Sequence, residues 1–211
     1  MTAPLSGRRA QAARNDERIL DGAREVFLAD PSAPIAAVAN RAGVGISALY
    51  RRYEGKEGLL RALAVDGLNR YVADLERALA DEGDAFTVYA EFLGRVVDGG
   101  SQALAQRLAG TFPVTPESTA LARRAGGLAE QLFERTVRAG GLRDDVTVDD
   151  VTLVLEVVMA IELPGPDGGR ALRHRYLTLL LDALRPGEHL PLPGPPPAKD
   201  ALAARWRTRK S

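Results

Sequence analysis

The chain has 211 residues, 45% of them apolar, enough to bury a core of ordinary size. Cysteine is absent and the only histidines are His174 and His189, which excludes disulfides, thiolate metal sites and multi-histidine metal sites. The net charge of zero is unevenly spread: residues 1–61 carry ten Lys/Arg against seven Asp/Glu, residues 62–198 thirteen against twenty, and the last thirteen residues five against one, a mildly basic N-terminal unit on an acidic body that ordinary surface statistics could also give.

The first apolar stripe is Ile19, Leu20, Ala23, Val26 and Phe27, one face of a helix with Asp16 and Glu17 at its N-terminal end. Asp30-Pro31 closes it. Pro34 suits the first position of a second helix running to about Ala42. Gly43 to Gly45 is a turn, and a third helix runs from Ile46 to about Tyr53. A long helix follows from about 55 to 81, with Leu59, Leu60, Leu63, Leu68, Val72, Leu75 and Leu79 inward, and Gly83 breaks it.

The next helix starts near Asp84, buries Phe86, Tyr89, Phe92, Leu93 and Val96, and is interrupted by Gly99-Gly100. Ser101 to about Ala109 reads as a short helix. Thr115-Pro116 opens another, as N-cap and first turn, which runs to about Ala139. Val148 to Leu163 is rich in strand-forming valine, but its length, the Thr147 cap, Asp149 and Asp150 in the first turn and the lack of a partner strand predict helix. A last helix starts at Asp167 or Gly168, with Leu172, Tyr176, Leu179, Leu180 and Leu184 inward. The fold class is all-α with about nine helices. It divides into a helix-turn-helix unit at 14–62 (motif 34–53), a helical body at 63–186, and a Pro-rich basic tail at 187–211. No run reaches the roughly eighteen apolar residues of a membrane span, and residues 1–15 lack a signal-peptide centre, so a cytoplasmic location is expected.

In a helix-turn-helix unit the first helix of the pair packs across the second and leaves the outer face of the second to read DNA. Ile35, Val38 and Ala39 would pack inward against Leu49, while Gly45, Ile46, Ser47, Ala48, Tyr50, Arg51 and Arg52 face outward. Ile46 and Ala48 suit a thymine methyl, Ser47 a base edge or phosphate, and an arginine guanine or phosphate. Lys56, just past the helix, is placed for a phosphate. Taken singly, an arginine pair is usually a solvated face and a tyrosine usually core; the order in which they occur here points to DNA.

Residues from about 15 to 63 resemble the DNA-binding domain of the tetracycline-repressor (TetR) family of bacterial transcriptional regulators. The resemblance runs through Ile19-Leu-Asp-Gly-Ala-Arg-Glu-Val-Phe27, Val38-Ala-Asn-Arg-Ala-Gly-Val44, Leu49-Tyr50, Tyr53 and Lys56-Glu57-Gly-Leu-Leu60. It implies phosphate contacts from Tyr50 and Lys56, and it sets Arg52 where members often carry a phosphate-binding histidine. Gly45-Ile46-Ser47 departs from the Ser-Lys-Gly common there, so the reading surface is more apolar than usual. A threonine is also usual where Pro34 or Ile35 stands. The resemblance further implies a homodimer through helices about 148–163 and 168–185, a palindromic double-stranded operator and an unknown small-molecule effector.

The apolar character of 148–163 and the stripe Leu172, Tyr176, Leu180, Leu184 support the dimer independently. An effector pocket is expected between the helices of the body, walled by Tyr71, Tyr89, Phe92, Phe112, Phe133 and Met159, with Glu91, Arg95, Gln102 and Glu156 as polar anchors; for each residue alone, packing is the commoner role. No cofactor, no metal and no catalysis are expected, because phosphate-loop, zinc-protease and nucleophile-elbow motifs are absent. The expected function is a sequence-specific transcriptional regulator, a repressor released by its effector. The competing reading is a helix-turn-helix adaptor that binds protein instead of DNA.

Overall fold

The computed structural model describes residues 7–100, 115–163, 169–198, 201 and 202, without the side chains of 7–10, 12 and 13. Among the described residues there are eight α-helices and no strand: α1 (Gly7–Ala29), α2 (Ile35–Ala42), α3 (Ile46–Tyr53), α4 (Lys56–Ala80), α5 (Ala85–Gly99), α6 (Pro116–Arg138), α7 (Val148–Met159) and α8 (Arg170–Ala183). The all-α expectation holds. The short helix predicted at Ser101–Ala109 lies outside the described residues.

Two apolar cores are built along one continuous helix. Ile19, Ala23 and Phe27 of α1 pack with Val38, Ala39 and Ala42 of α2, Leu49 of α3, and Leu59, Leu60 and Leu63 from the start of α4. The far end of α4 supplies Leu75 and Ala78 to a larger core with Val88, Phe92 and Leu93 of α5, Leu132 of α6, Leu155 and Val158 of α7, and Leu177 and Leu181 of α8. Each buried aliphatic or aromatic side chain contributes roughly 1.5–3 kcal/mol through removal from water. Arg135 of α6 ties off α4, donating to the carbonyls of Ala78, Leu79 and Asp81 at the helix end, where Ala78 also accepts the Asp81 amide.

Helix starts follow their caps. Thr115 and Ser118 form a reciprocal capping box on α6, and Thr147 and Asp150 do the same on α7. Asp84 accepts from the Thr87 amide at 2.8 Å at the head of α5.

Four elements differ from the sequence reading. Helix α1 begins at Gly7, so Asp16 and Glu17 sit mid-helix and not in its first turn. The cause is a run of helix-forming Ala, Arg and Gln at 8–14, tied by exposed hydrogen bonds from Arg14 to Gln11 and from Gln11 to Asn15. Pro34 is the extended N-cap of α2 and not its first residue. Helix α7 stops at Met159, four residues early. Pro164 disfavours helix at Leu163, and Arg173 of α8 captures the Ile161 carbonyl at 3.0 Å. On α8 the inward stripe is Leu177, Leu181 and then Leu184; Tyr176 and Leu179, expected inward, are 47% and 53% exposed. The helix packs on α5 and α7 along an i, i+4, i+7 line, and those two residues fall off it.

Candidate nucleic-acid interface

The turn between α2 and α3 is a backbone device. Gly43 adopts φ 65° and ψ 39°, the left-handed conformation that closes a helix, and its amide returns to the carbonyls of Ala39 and Asn40. Val44 donates to Ala39 at 3.0 Å, and Gly45 then caps α3, its carbonyl accepting from Ala48 at 2.9 Å. Leu49 is the single fully buried anchor of α3. With Leu49 inside, the helical period turns Ile46, Ser47, Tyr50 and Arg51 outward. Ile46 is 43% and Tyr50 51% exposed, so the short helix offers an apolar patch beside a cation.

A cleft of about 510 Å³ opens between α1 and the start of α3. Asp16, Arg18, Gly45, Ala48, Arg51 and Arg52 line it. Arg52 is committed within it: its Nε donates to one Asp16 carboxylate oxygen at 2.9 Å and its Nη2 to the other at 2.6 Å. The Asp16 hydrogen bond, and then its charge, raise the Arg52 pKa. Burial raises the pKa of half-buried Tyr53 beside the pair, and the Asp16 carboxylate adds to the shift.

The predicted reading residues therefore separate by environment. Gly45, Ile46, Ser47, Ala48, Tyr50, Arg51 and Arg52 come together on and around α3, all exposed except half-buried Ala48. Lys56 does not join them. Its ammonium donates to the carbonyls of Pro31, Ser32 and Ala33 at 3.1, 3.0 and 2.8 Å and sits 5.2 Å from the centre of the Phe27 ring. Three donors meet three acceptors, so in this structure the lysine seals the loop between α1 and α2. Glu54, the C-cap of α3, is the one non-glycine residue with positive φ among the described residues.

The predicted effector wall is partly assembled in the other core. Ring centres of Tyr71 and Phe92 lie 5.7 Å apart, Tyr89 and Phe92 6.3 Å, and Tyr89 and Phe133 6.4 Å, and Met159 belongs to the same core. Burial pushes the Tyr71 hydroxyl up to about 12 and raises the Tyr89 hydroxyl as well. Of the expected anchors, Arg95 is half-buried near Asp74 and Glu91, Glu156 is half-buried, and Glu91 is exposed. Phe112 and Gln102 lie outside the described residues.

Sequence reasoning missed that Asp16 and Arg18 line the cleft beside α3. Asp16 reaches Arg52 across 36 residues, a separation that carries no local signal.

Two family models cover this architecture. Residues 19–63 match that of bacterial regulatory proteins of the tetR family, and residues 83–186 match the C-terminal domain of SbtR-like transcriptional regulators. The chain belongs to the TetR family. Its helix-turn-helix unit is thus that of a DNA-binding transcriptional regulator.

Solved TetR structures share the fold. A TetR regulatory protein from Mycobacterium vanbaalenii is 27% identical, with a TM-score of 0.60 over 84% of this chain and 99% of that one. LfrR from Mycobacterium smegmatis, solved in complex with proflavine, is 22% identical, with a TM-score of 0.64 over 84% and 99%. The regulator SCO0520 from Streptomyces coelicolor is 24% identical, with a TM-score of 0.59 over 82% and 99%. No curated protein matches the chain. Among the described residues no helix is long and apolar enough to cross a membrane.

Proposed function

We propose that this TetR-family regulator is a repressor that grips a palindromic operator as a homodimer and leaves it when a small molecule enters its C-terminal body. The observation that carries the reading is α3: one buried leucine fixes it, and Ile46, Ser47, Tyr50 and Arg51 stand exposed as a base-reading and phosphate-facing surface. The reading divides the chain into a reading head at 14–62, an effector and dimerisation body at 63–186, and a tail at 187–211.

Two further features support it. Val157 of α7 is 65% exposed, and with Tyr176 and Leu179 of α8 it leaves an apolar surface suited to a second copy of the chain. The buried aromatic cluster around Phe92 is the lining an apolar effector needs, and the proflavine complex of LfrR is the precedent among similar structures. Helix α4 enters both cores, so an effector that favours one setting of α4 shifts the spacing of the two heads.

Footprinting on the DNA flanking its own gene tests the reading. A protected two-fold-symmetric site, lost on adding a ligand found by thermal-shift screening, is the expected result. Absence of any protected palindrome across a salt series would remove the DNA-reading function.

A further inference from the structure

The reading head carries an acid where it meets a polyanion. Asp16 lies mid-α1, at the mouth of the cleft beside α3, and accepts both hydrogen bonds from one edge of the Arg52 guanidinium. Arg18 and Arg51 line the same cleft without an ion pair among the described residues. Asp16 thus engages one cation of three and leaves two to act at a distance.

The geometry of the grip gives the acid a use. A guanidinium offers five N–H donors on two edges. The Nε hydrogen and one Nη2 hydrogen on one edge are taken, and the second Nη2 hydrogen with one from Nη1 forms the adjacent end-on edge, itself able to hold a phosphate in bidentate fashion. Arg52 is 61% exposed despite Asp16 and the neighbouring Tyr53, so its guanidinium remains accessible to a docked duplex. Asp16 holds a long side chain in one orientation before docking, and the pair is close to electroneutral to a duplex that lies beyond the few ångströms between the two charges but still within a Debye length.

We propose that Asp16 is a specificity-determining positioning residue: it aims the open edge of Arg52 at the DNA backbone of a correctly docked site while cancelling charge that would draw the head to any sequence. This rests on the DNA-reading function above. Long-range attraction is weakened for every duplex, and short-range contact is strengthened only where docking is close.

The test uses the full chain as wild type, Asp16→Asn, Arg52→Gln and the double variant. Binding is measured over a salt series to the footprinted flanking duplex and to a shuffled duplex of equal length. On the shuffled duplex Asp16→Asn should bind about fivefold tighter at physiological salt, with the slope of log K against log salt steeper by about 0.9. On the flanking duplex it should bind no tighter, so the preference falls by about fivefold. In the Arg52→Gln background the same change should leave the preference unaltered. Equal tightening on both duplexes would make Asp16 a plain repulsive charge and overturn the proposal, as would no change on either, or the same loss of preference without Arg52. A wild-type chain that does not prefer the flanking duplex overturns the DNA-reading function itself, a result distinct from any given by the variants.

Discussion

Lys56 carries the sharpest disagreement between resemblance and geometry. A phosphate role needs a free ammonium, yet all three of its donors face the carbonyls of residues 31–33. Lys56→Met keeps the stem beside Phe27 and removes the hydrogen bonds. Urea unfolding should show a loss of about 1–3 kcal/mol, the cost of leaving partly buried carbonyls unsatisfied. The salt slope of DNA binding should stay as it is; a phosphate role would instead flatten it by about 0.9 and leave stability alone. Glu54 offers a change of opposite sign. It holds φ 53° at the end of α3, a conformation that strains an L side chain by roughly 1–2 kcal/mol. Glu54→Gly should therefore raise the unfolding free energy measured in urea, by about 1 kcal/mol or less once glycine's greater freedom in the unfolded chain is set against it. The outward set on α3 was legible because one buried leucine fixes every neighbour through the helical period. The partners of Lys56 and Arg52 were not, because they lie 23 to 36 residues away and meet only after α1, α3 and α4 have packed.

Among the elements, α4 matters most, because it belongs to both cores and is tied to α1 by charge. Arg24, only 13% exposed, donates to Asp21 of its own helix and to Asp66 of α4 at 2.7 and 2.6 Å, and Arg70 bonds the same two carboxylates. Arg24→Ala leaves two partly buried acids to one arginine. A loss of about 2 kcal/mol is expected, with faster hydrogen exchange along α1 than along α6 as the readout that places it at this joint. A second charged joint fastens α5 to α8, where Asp98 bonds Arg170 and His174, each at 2.8 Å. The Arg170 hydrogen bond leads in lowering the Asp98 pKa and His174 adds to it, against the opposing effect of burial. A depressed carboxylate stabilises the fold above its ordinary value of 3.8, and that contribution is lost as pH falls through the lower folded value. The Tm difference between wild type and Asp98→Asn should hold steady above the ordinary value and close below it. Elements with explicit caps, α6 and α7, were legible at their starts. Their ends depend on tertiary capture, as when Arg173 takes the Ile161 carbonyl, and the sequence pattern carries no trace of that.

At the scale of the molecule, the exposed apolar side chains of α7 and α8 bear on the proposed dimer. The sequence stripe was correct in kind and wrong in phase: it turned Tyr176 and Leu179 inward, where α5 and α7 already receive Leu177 and Leu181. The error follows from reading one helix with two apolar faces, because periodicity alone cannot say which face meets the monomer core and which a partner. Exposure separates them, and it gives the proposed dimer a direct test. Leu179→Arg puts a charge on the face turned away from the core, so the monomer fold should survive with its helix content unchanged. Sedimentation should show a shift from dimer to monomer, since an unpaired charge buried at an interface is strongly unfavourable. Operator binding should fall by about a hundredfold or more with the second head no longer held near its half-site, while binding to a single half-site changes little. A Leu179→Arg chain that stays dimeric would move the interface elsewhere on the body. One that becomes monomeric yet keeps full operator affinity would break the link between the α7–α8 face and the paired reading heads.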